Sequence, residues 1–240
     1  MEELGLERSV GSAASAAYHS RMVPSQSAKI LIVDDHPLIV EALSARLGAQ
    51  PDMVVCGTAY TVANALAILD AEMPDLAIVD LVLQDGHGLD LIKAIARGGY
   101  PTKVLVLSAY DESIYAERAL RVGAHGYVNK RDARSNVVEA ARAILSGHRY
   151  LSEEMREKLV RQALEGRKKP GLSIETLTDR ELVIFEMIGR GLSTRRIATR
   201  LKISIHTVES HREKIRHKLG LNDGTELMQR AVEWRVGQAS

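Results

Sequence analysis

Five apolar runs of strand length, each separated from the next by a stretch of helical spacing, limit what this chain can fold into. They are Lys29–Asp34, Met53–Thr58, Asp75–Asp80, Lys103–Ser108 and His125–Val128. Runs that are apolar throughout, rather than alternating, belong to strands buried on both faces of a parallel sheet. The segments between them fit helices. Leu38, Ala42, Ala45 and Leu47 mark one apolar face and Val62, Leu66 and Leu69 another, and further helices are expected over Leu89–Ala96, Asp111–Val122 and Asp132–Leu145. Strand and helix in alternation predict an α/β, doubly wound, five-stranded parallel sheet with right-handed crossovers.

The runs end on polar residues. Asp34 and Asp35 follow the first, Asp80 the third, Ser108 the fourth and Lys130 the fifth. In open parallel sheets the ligand site lies beyond the carboxyl ends of the strands. These five side chains therefore collect at one edge. Three carboxylates in one pocket repel one another, and a hard cation such as Mg²⁺ relieves that repulsion. One carboxylate can then act as a nucleophile toward phosphorus, with a hydroxyl and an ammonium holding the phosphoryl oxygens. Singly, each residue has a plainer use: Asp34 and Asp35 as helix caps, Ser108 in a loop, Lys130 as a solvated charge.

The back of the chain has a different character. Residues 1–160 carry 16 Lys/Arg and 21 Asp/Glu, whereas residues 161–240 carry 16 and 10. A basic half is a candidate for nucleic acid. Thr178 with Glu181 three residues on has capping-box spacing, and Ser193 and Ser204 are placed to cap two further helices joined by a short turn, the helix-turn-helix arrangement. Val208, His211, Ile215 and Leu219 form an inward stripe on the last of these, with His211 packed rather than reading bases. A fourth helix over Thr225–Val236 offers Leu227, Met228, Ala231 and Trp234. The expected division is 1–28 as a disordered tail, 29–148 as the α/β domain, 149–174 as a linker with a helix and a basic hinge, and 175–240 as an all-α four-helix domain. Cys56 is the only cysteine, so no internal disulfide forms; it is expected as a buried small hydrophobe. No apolar run is long enough to span a bilayer and no secretion signal is evident, so the expected location is cytoplasmic, without membrane partners.

The motifs Ile-Val-Asp34-Asp35-His36-Pro, Val-Asp80-Leu with Gly88 eight residues on, Leu-Ser108-Ala-Tyr and Gly126-Tyr127-Val-Asn-Lys130 resemble the receiver domain of two-component response regulators. Leu177-Thr178-x-Arg180-Glu181, Gly191-Leu192-Ser193, Ile197-Ala198, Leu201, Ser204, Thr207-Val208, His211 and Lys218-Leu219 resemble the LuxR-type helix-turn-helix, so the chain as a whole resembles the NarL/FixJ type. The resemblance implies a flavodoxin-like strand order of 2-1-3-4-5, Asp80 as phosphoacceptor, and Mg²⁺ held by Asp34, Asp35, Asp80 and the Val82 carbonyl. It implies Ser108 and Lys130 on the phosphoryl group and Tyr127 as a switch aromatic. It further implies a sensor histidine kinase as partner, double-stranded DNA as target, and a homodimer when active. In the recognition helix it places Glu209, Ser210 and Glu213 toward bases. Arg196, Thr207, Arg212 and Lys214 lie toward phosphates, with Ser204 and His206 in the same surface. Two positions depart from the family pattern: Leu83-Gln84 replaces Met-Pro, and Arg131 replaces a proline after Lys130. Both bear on loop rigidity and phosphoryl lifetime. The implied activity is regulatory, with at most Mg²⁺-dependent self-phosphorylation and autodephosphorylation. A magnesium-dependent phosphatase is the enzymatic rival, but Asp34-Asp35-His36 lacks an Asp-x-Asp spacing. An orphan regulator with an idle pocket is the third possibility.

Overall fold

A computed structural model describes residues 27–110, 112–165 and 172–239. The expected tail and the basic hinge at 166–171 fall outside the described residues, apart from Ser27 and Ala28. Ten α-helices and seven strands are present among the described residues. Strands β1 (Ala28–Val33), β2 (Met53–Ala59), β3 (Leu76–Val79), β6 (Lys103–Ser108) and β7 (Gly126–Asn129) form one parallel sheet in the order β2-β1-β3-β6-β7. Numbered within the sheet, that is 2-1-3-4-5, as expected.

Alternate residues along each strand feed opposite faces, because successive Cβ atoms point to opposite sides. Ile30 and Ile32 of β1, with Leu76, Ile78, Leu105 and Leu107, pack under helices α1 (Pro37–Gly48) and α5 (Ala133–Leu145). Leu31, Val33, Ala77, Val79, Val104 and Val106 point the other way, toward α2 (Val62–Glu72), α3 (Gly88–Gly98) and α4 (Glu112–Arg121). The central strands β1, β3 and β6 are thus buried on both faces, and that is why their runs are apolar throughout, whereas the edge strand β2 exposes Val54 and Thr58.

Two local features differ from the sequence expectation. The segment after Asp80 is a small hairpin of β4 (Val82–Leu83) and β5 (Gly86–His87), not an open loop. Cys56 is half-buried: the β1–β2 register skips it between Val55 and Gly57, so it is a bulge residue on an edge strand. Burial still pushes its thiol pKa up, against reactivity.

Helix α6 (Glu153–Glu165) is held at its start by the Ser152 hydroxyl, which accepts from the Met155 N–H at 3.1 Å, and Met155 is buried. The C-terminal domain holds α7 (Asp179–Gly189), α8 (Thr194–Leu201), α9 (Ile205–Leu219) and α10 (Gly224–Ala239), preceded by a 3₁₀ turn at Ile174–Thr176. All three expected caps form. Thr178 and Glu181 exchange a full capping box, Ser193 accepts from the Arg196 N–H, and Ser204 accepts from the Thr207 N–H. Lys202, in left-handed backbone, ends α8 and makes the turn into α9. Gly189 lets α7 and α10 cross closely: a Cβ there would lie 2.5 Å from the Ala231 carbonyl oxygen.

Every residue from Glu181 to Gly189 is buried. A helix apolar on one face but buried all round needs cover on its second face. The α/β domain supplies it. Phe185 and Leu182 lie in the same apolar cluster as Leu89, Tyr110 and Tyr115, so one core runs across both domains.

Candidate functional site and family

Lys130 ties the carboxyl edge of the sheet together. Its ammonium lies 2.6 Å from Asp34 Oδ2 and 2.8 Å from Asp80 Oδ2. The backbone sets this up: the Lys130 N–H donates to the Ser108 carbonyl and the Asp80 N–H to that of Val33. The ends of four strands are therefore held level in two pairs, β1 with β3 and β6 with β7. Gly88 closes the floor, since a Cβ there would meet the Asp80 carbonyl oxygen at 2.2 Å. No other residue type fits so close an approach.

Asp34 and Asp80 are buried, while Asp35 is partly exposed. Burial, with the charges of Asp34 and Asp35 adding to it, pushes the Asp80 carboxyl up to about 6 despite Lys130. Burial works against the Lys130 charge, but Asp80 and Asp34 outweigh it and its pKa ends above the usual lysine value. Ligand atoms from Asp34, Asp35, His36 and Asp80 all lie within 4.8 Å of one another. Repelling oxygen donors of this kind fit a hard divalent cation. His36, next along the chain, sits on the pair, with Nδ1 3.0 Å from Asp34 Oδ1 and 2.8 Å from Asp35 Oδ1.

A cavity of about 290 Å³ opens above Asp80. Val82, Ser108, Ala109, Tyr110 and Lys130 line one side, and Arg190 and Arg235 of the C-terminal domain line the other. Ser108 is fully buried, and its hydroxyl accepts from the Tyr110 N–H at 3.3 Å. Tyr127 is buried too, its hydroxyl donating to the Tyr110 carbonyl at 2.8 Å. The sheet edge thus brings Asp34, Asp35, Asp80, Val82, Ser108 and Lys130 together, with Tyr127 one layer behind.

The two domains are docked against each other beside this cavity. Trp234 of α10 stacks on Tyr110 with ring centroids 5.9 Å apart, and Arg190 donates to the Tyr110 hydroxyl at 2.9 Å. Asp179 at the start of α7 takes Lys93 at 3.0 Å and Arg118 at 3.3 Å. His87 and Glu186 face each other at 3.9 Å, both buried. Arg200 reaches over to Asp35 and the Leu83 carbonyl. Sequence reasoning missed this set. Glu186, a carboxylate within the otherwise apolar stretch Leu182–Ile188, is the visible hint.

The other candidate residues lie apart, on α9 and its neighbours. His206, Glu209, Glu213 and Lys214 are exposed, as are Ser204 and Arg196, and Thr207, Ser210 and Arg212 are half-exposed. Ser204 already uses its hydroxyl as the cap. His211 is half-buried and its imidazole is held neutral by burial, in keeping with a packed histidine. Docking thus covers α7 and part of α10 and leaves the outer face of α9 in solvent.

The family profiles agree with both halves of the chain. The response regulator receiver domain matches residues 30–142, and the bacterial regulatory proteins of the luxR family match 175–231. The oxygen regulatory protein NreC of Staphylococcus carnosus is 32% identical over 213 residues, which cover 87% of this chain and 98% of NreC.

The chain belongs to the response regulators.

The transcriptional activator protein ExaE of Pseudomonas putida is a further relative, 32% identical over 204 residues, 85% of this chain and 95% of ExaE. Among solved structures, RcsB from Salmonella enterica serovar Typhimurium, bound to the promoter P1flhDC in the presence of the phosphomimetic BeF3-, superposes with a TM-score of 0.67. It is 22% identical, with 87% of this chain and all of the RcsB chain covered, a likeness of fold. This response regulator thus joins a receiver domain to a LuxR-type DNA-binding domain, in a family of transcription regulators. Among the described residues no helix is long and apolar enough to cross a membrane.

Proposed function

We propose that this response regulator accepts a phosphoryl group on Asp80 from a sensor histidine kinase and then binds promoter DNA as a dimer. The observation that carries the reading is Lys130 held between Asp34 and Asp80 at the mouth of a cavity that also contains Ser108. An Asp80 carboxylate oxygen attacks phosphorus in line, the N–P bond of the phosphohistidine breaks, and the imidazole leaves with the bonding pair. Lys130 and Ser108 hold the phosphoryl oxygens as charge moves onto them. Asp34, Asp35, Asp80 and the Val82 carbonyl would hold Mg²⁺, which supplies positive charge to the transferring group. Self-phosphorylation from a small donor and hydrolysis of the acyl phosphate follow from the same groups.

Regulation then runs through the docked interface. A phosphoryl group that recruits the Ser108 hydroxyl takes an acceptor from the Tyr110 N–H, and Tyr110 carries both Trp234 and Arg190. Separation frees α10 for a second copy, and α9 presents Glu209, Ser210 and Glu213 to base edges, with Arg196, Thr207, Arg212 and Lys214 on phosphates. Ser204 and His206 border that surface. Domain limits of 29–148 and 175–240 and a cytoplasmic location go with this reading.

The test is intact mass after exposure to a small phosphodonor with Mg²⁺, beside Asp80→Asn. A gain of one phosphoryl group in the wild type alone supports the reading. No gain in either folded protein turns it to an orphan regulator with an idle pocket.

A further inference from the structure

We propose that Arg200 of the DNA-binding domain competes with the divalent cation for Asp35, so that cation binding and domain docking oppose each other. The inference rests on the reading of Asp34, Asp35 and Asp80 as a cation site and goes beyond it. It gives the DNA-binding domain a direct grip on that site, independent of phosphoryl transfer.

Arg200 stands near the C-terminal end of α8, far in sequence from the acidic pair, yet its Nη2 lies 3.9 Å from Asp35 Oδ2. The same nitrogen donates to the carbonyl of Leu83, next along the chain from Val82. One guanidinium nitrogen therefore touches both a carboxylate of the proposed cation site and the strand residue next to the carbonyl proposed to complete it. Its side chain is 23% exposed and that of Asp35 only 16%. Water screens the contact weakly at that depth.

The contact is also incomplete. Arg200 Nε is buried and makes no hydrogen bond, and the approach to Asp35 is long for a bidentate pair. A half-satisfied guanidinium is poorly placed to resist a divalent ion that prefers carboxylate oxygen. Arg190 and Arg235 add positive charge on the same side of the cavity, while Arg200 is the residue of the DNA-binding domain that comes within 4 Å of an acidic-pair oxygen among the described residues. Two cations that claim one carboxylate bind with negative coupling, and the coupling is reciprocal. Docking weakens the cation, and the cation weakens docking.

Trp234 makes the test direct. It is the only tryptophan in the chain and it lies in the docked interface. Mg²⁺ affinity of the full chain, without any phosphodonor, is measured by calorimetry, and Trp234 emission is followed in the same titration. Wild type, Arg200→Ala, the undocking double variant Lys93→Ala/Arg118→Ala, and the triple variant are compared. The expected results are a Mg²⁺-dependent red shift in the wild type and tighter Mg²⁺ binding in Arg200→Ala, by about fivefold or more. The double variant should tighten as well, and removal of Arg200 from it should add little. Wild-type Mg²⁺ binding that Arg200→Ala leaves unchanged overturns the competition while leaving the cation site standing. A gain from Arg200→Ala that persists undiminished in the undocked background overturns the link to docking. No Mg²⁺ binding by the folded wild type overturns both the inference and the cation site.

Discussion

The buried pair His87–Glu186 makes docking of the two domains depend on pH, and the size of the effect follows from counting protons. Burial pushes the Glu186 carboxyl up to about 8, opposed by Arg190 and by a hydrogen bond from Tyr110. Burial also holds His87 down at about 3, with the Arg190 charge in the same direction. Between those limits the docked pair holds one proton. The charges of Asp179, Lys93 and Arg180 also act on His87. Once the domains part, both side chains are in water and follow ordinary values near 4.3 and 6.5.

The sign is then fixed. From pH 4.3 to 6.5 the separated pair also holds one proton, and docking is insensitive to pH. Above 6.5 the separated pair holds none while the docked pair keeps its proton until about 8. Docking therefore takes up a proton in this window and weakens as pH rises. One proton over roughly 1.5 pH units is about 2 kcal/mol, or about a 30-fold change in the docking equilibrium. Below pH 4.3 docking weakens again, because the separated histidine and carboxyl both protonate. The assay is Trp234 emission, with the radius of gyration from small-angle scattering as a second measure. Docking of the wild type weakens between pH 6.5 and 8, whereas Glu186→Gln, which keeps the shape and removes the carboxyl titration, shows no change in that window and weakens only below pH 6.5, where the separated His87 protonates. An identical pH response in Glu186→Gln would refute the assignment of the proton to this pair.

Four further outcomes are expected. Gly88→Ala drives a methyl into the Asp80 carbonyl and lowers stability by about 1–3 kcal/mol in denaturant melts, with slower phosphorylation from a small donor because the strand end moves. Thr178→Ala loses a capping box and lowers the stability of the DNA-binding domain by about 1 kcal/mol; the partner Lys218, 2.6 Å from Glu181, limits the loss. On DNA, Arg212→Ala weakens binding about equally on all sequences and lowers the salt slope by about 1. Glu209→Ala instead relaxes the preference at one base pair, by about 1–3 kcal/mol of discrimination, and a uniform loss with no change in preference would count against its role in base reading.

The receiver site is legible in the sequence because the strand itself does the placing. A parallel strand buried on both faces must end where its apolar run ends, so Asp80 and Ser108 mark their own positions. The same holds for the caps: Thr178, Ser193 and Ser204 act on backbone within three residues. The docked interface is a different matter. Arg200 meets Leu83 from 117 positions away, and Lys93 meets Asp179 from 86. No local period encodes such pairs. His87 reads as a residue behind the pocket or on the surface because a two-residue strand such as β5 has no period to detect, and in the fold it is buried facing Glu186 of the second domain.

What joins the legible part to the illegible part is Tyr110. It lies two residues beyond Ser108, so the strand that ends at the proposed phosphoryl pocket also fixes this ring. Its N–H is held by the Ser108 hydroxyl, its carbonyl by Tyr127, its hydroxyl by Arg190 and its face by Trp234. Asn129 adds a second bond to the carbonyl and Tyr115 a second stacked ring, and contacts from both domains on one residue make a poor hinge but a good latch. A change at Ser108 cannot be absorbed by the backbone, because Tyr127 pins the carbonyl, and it must pass to the ring. There it meets a stacked indole whose Nε1 is buried without a hydrogen bond, a contact that gains from release into water. A displacement at the sheet edge is thus turned into a loss of packing on α10, where the second domain is least well satisfied.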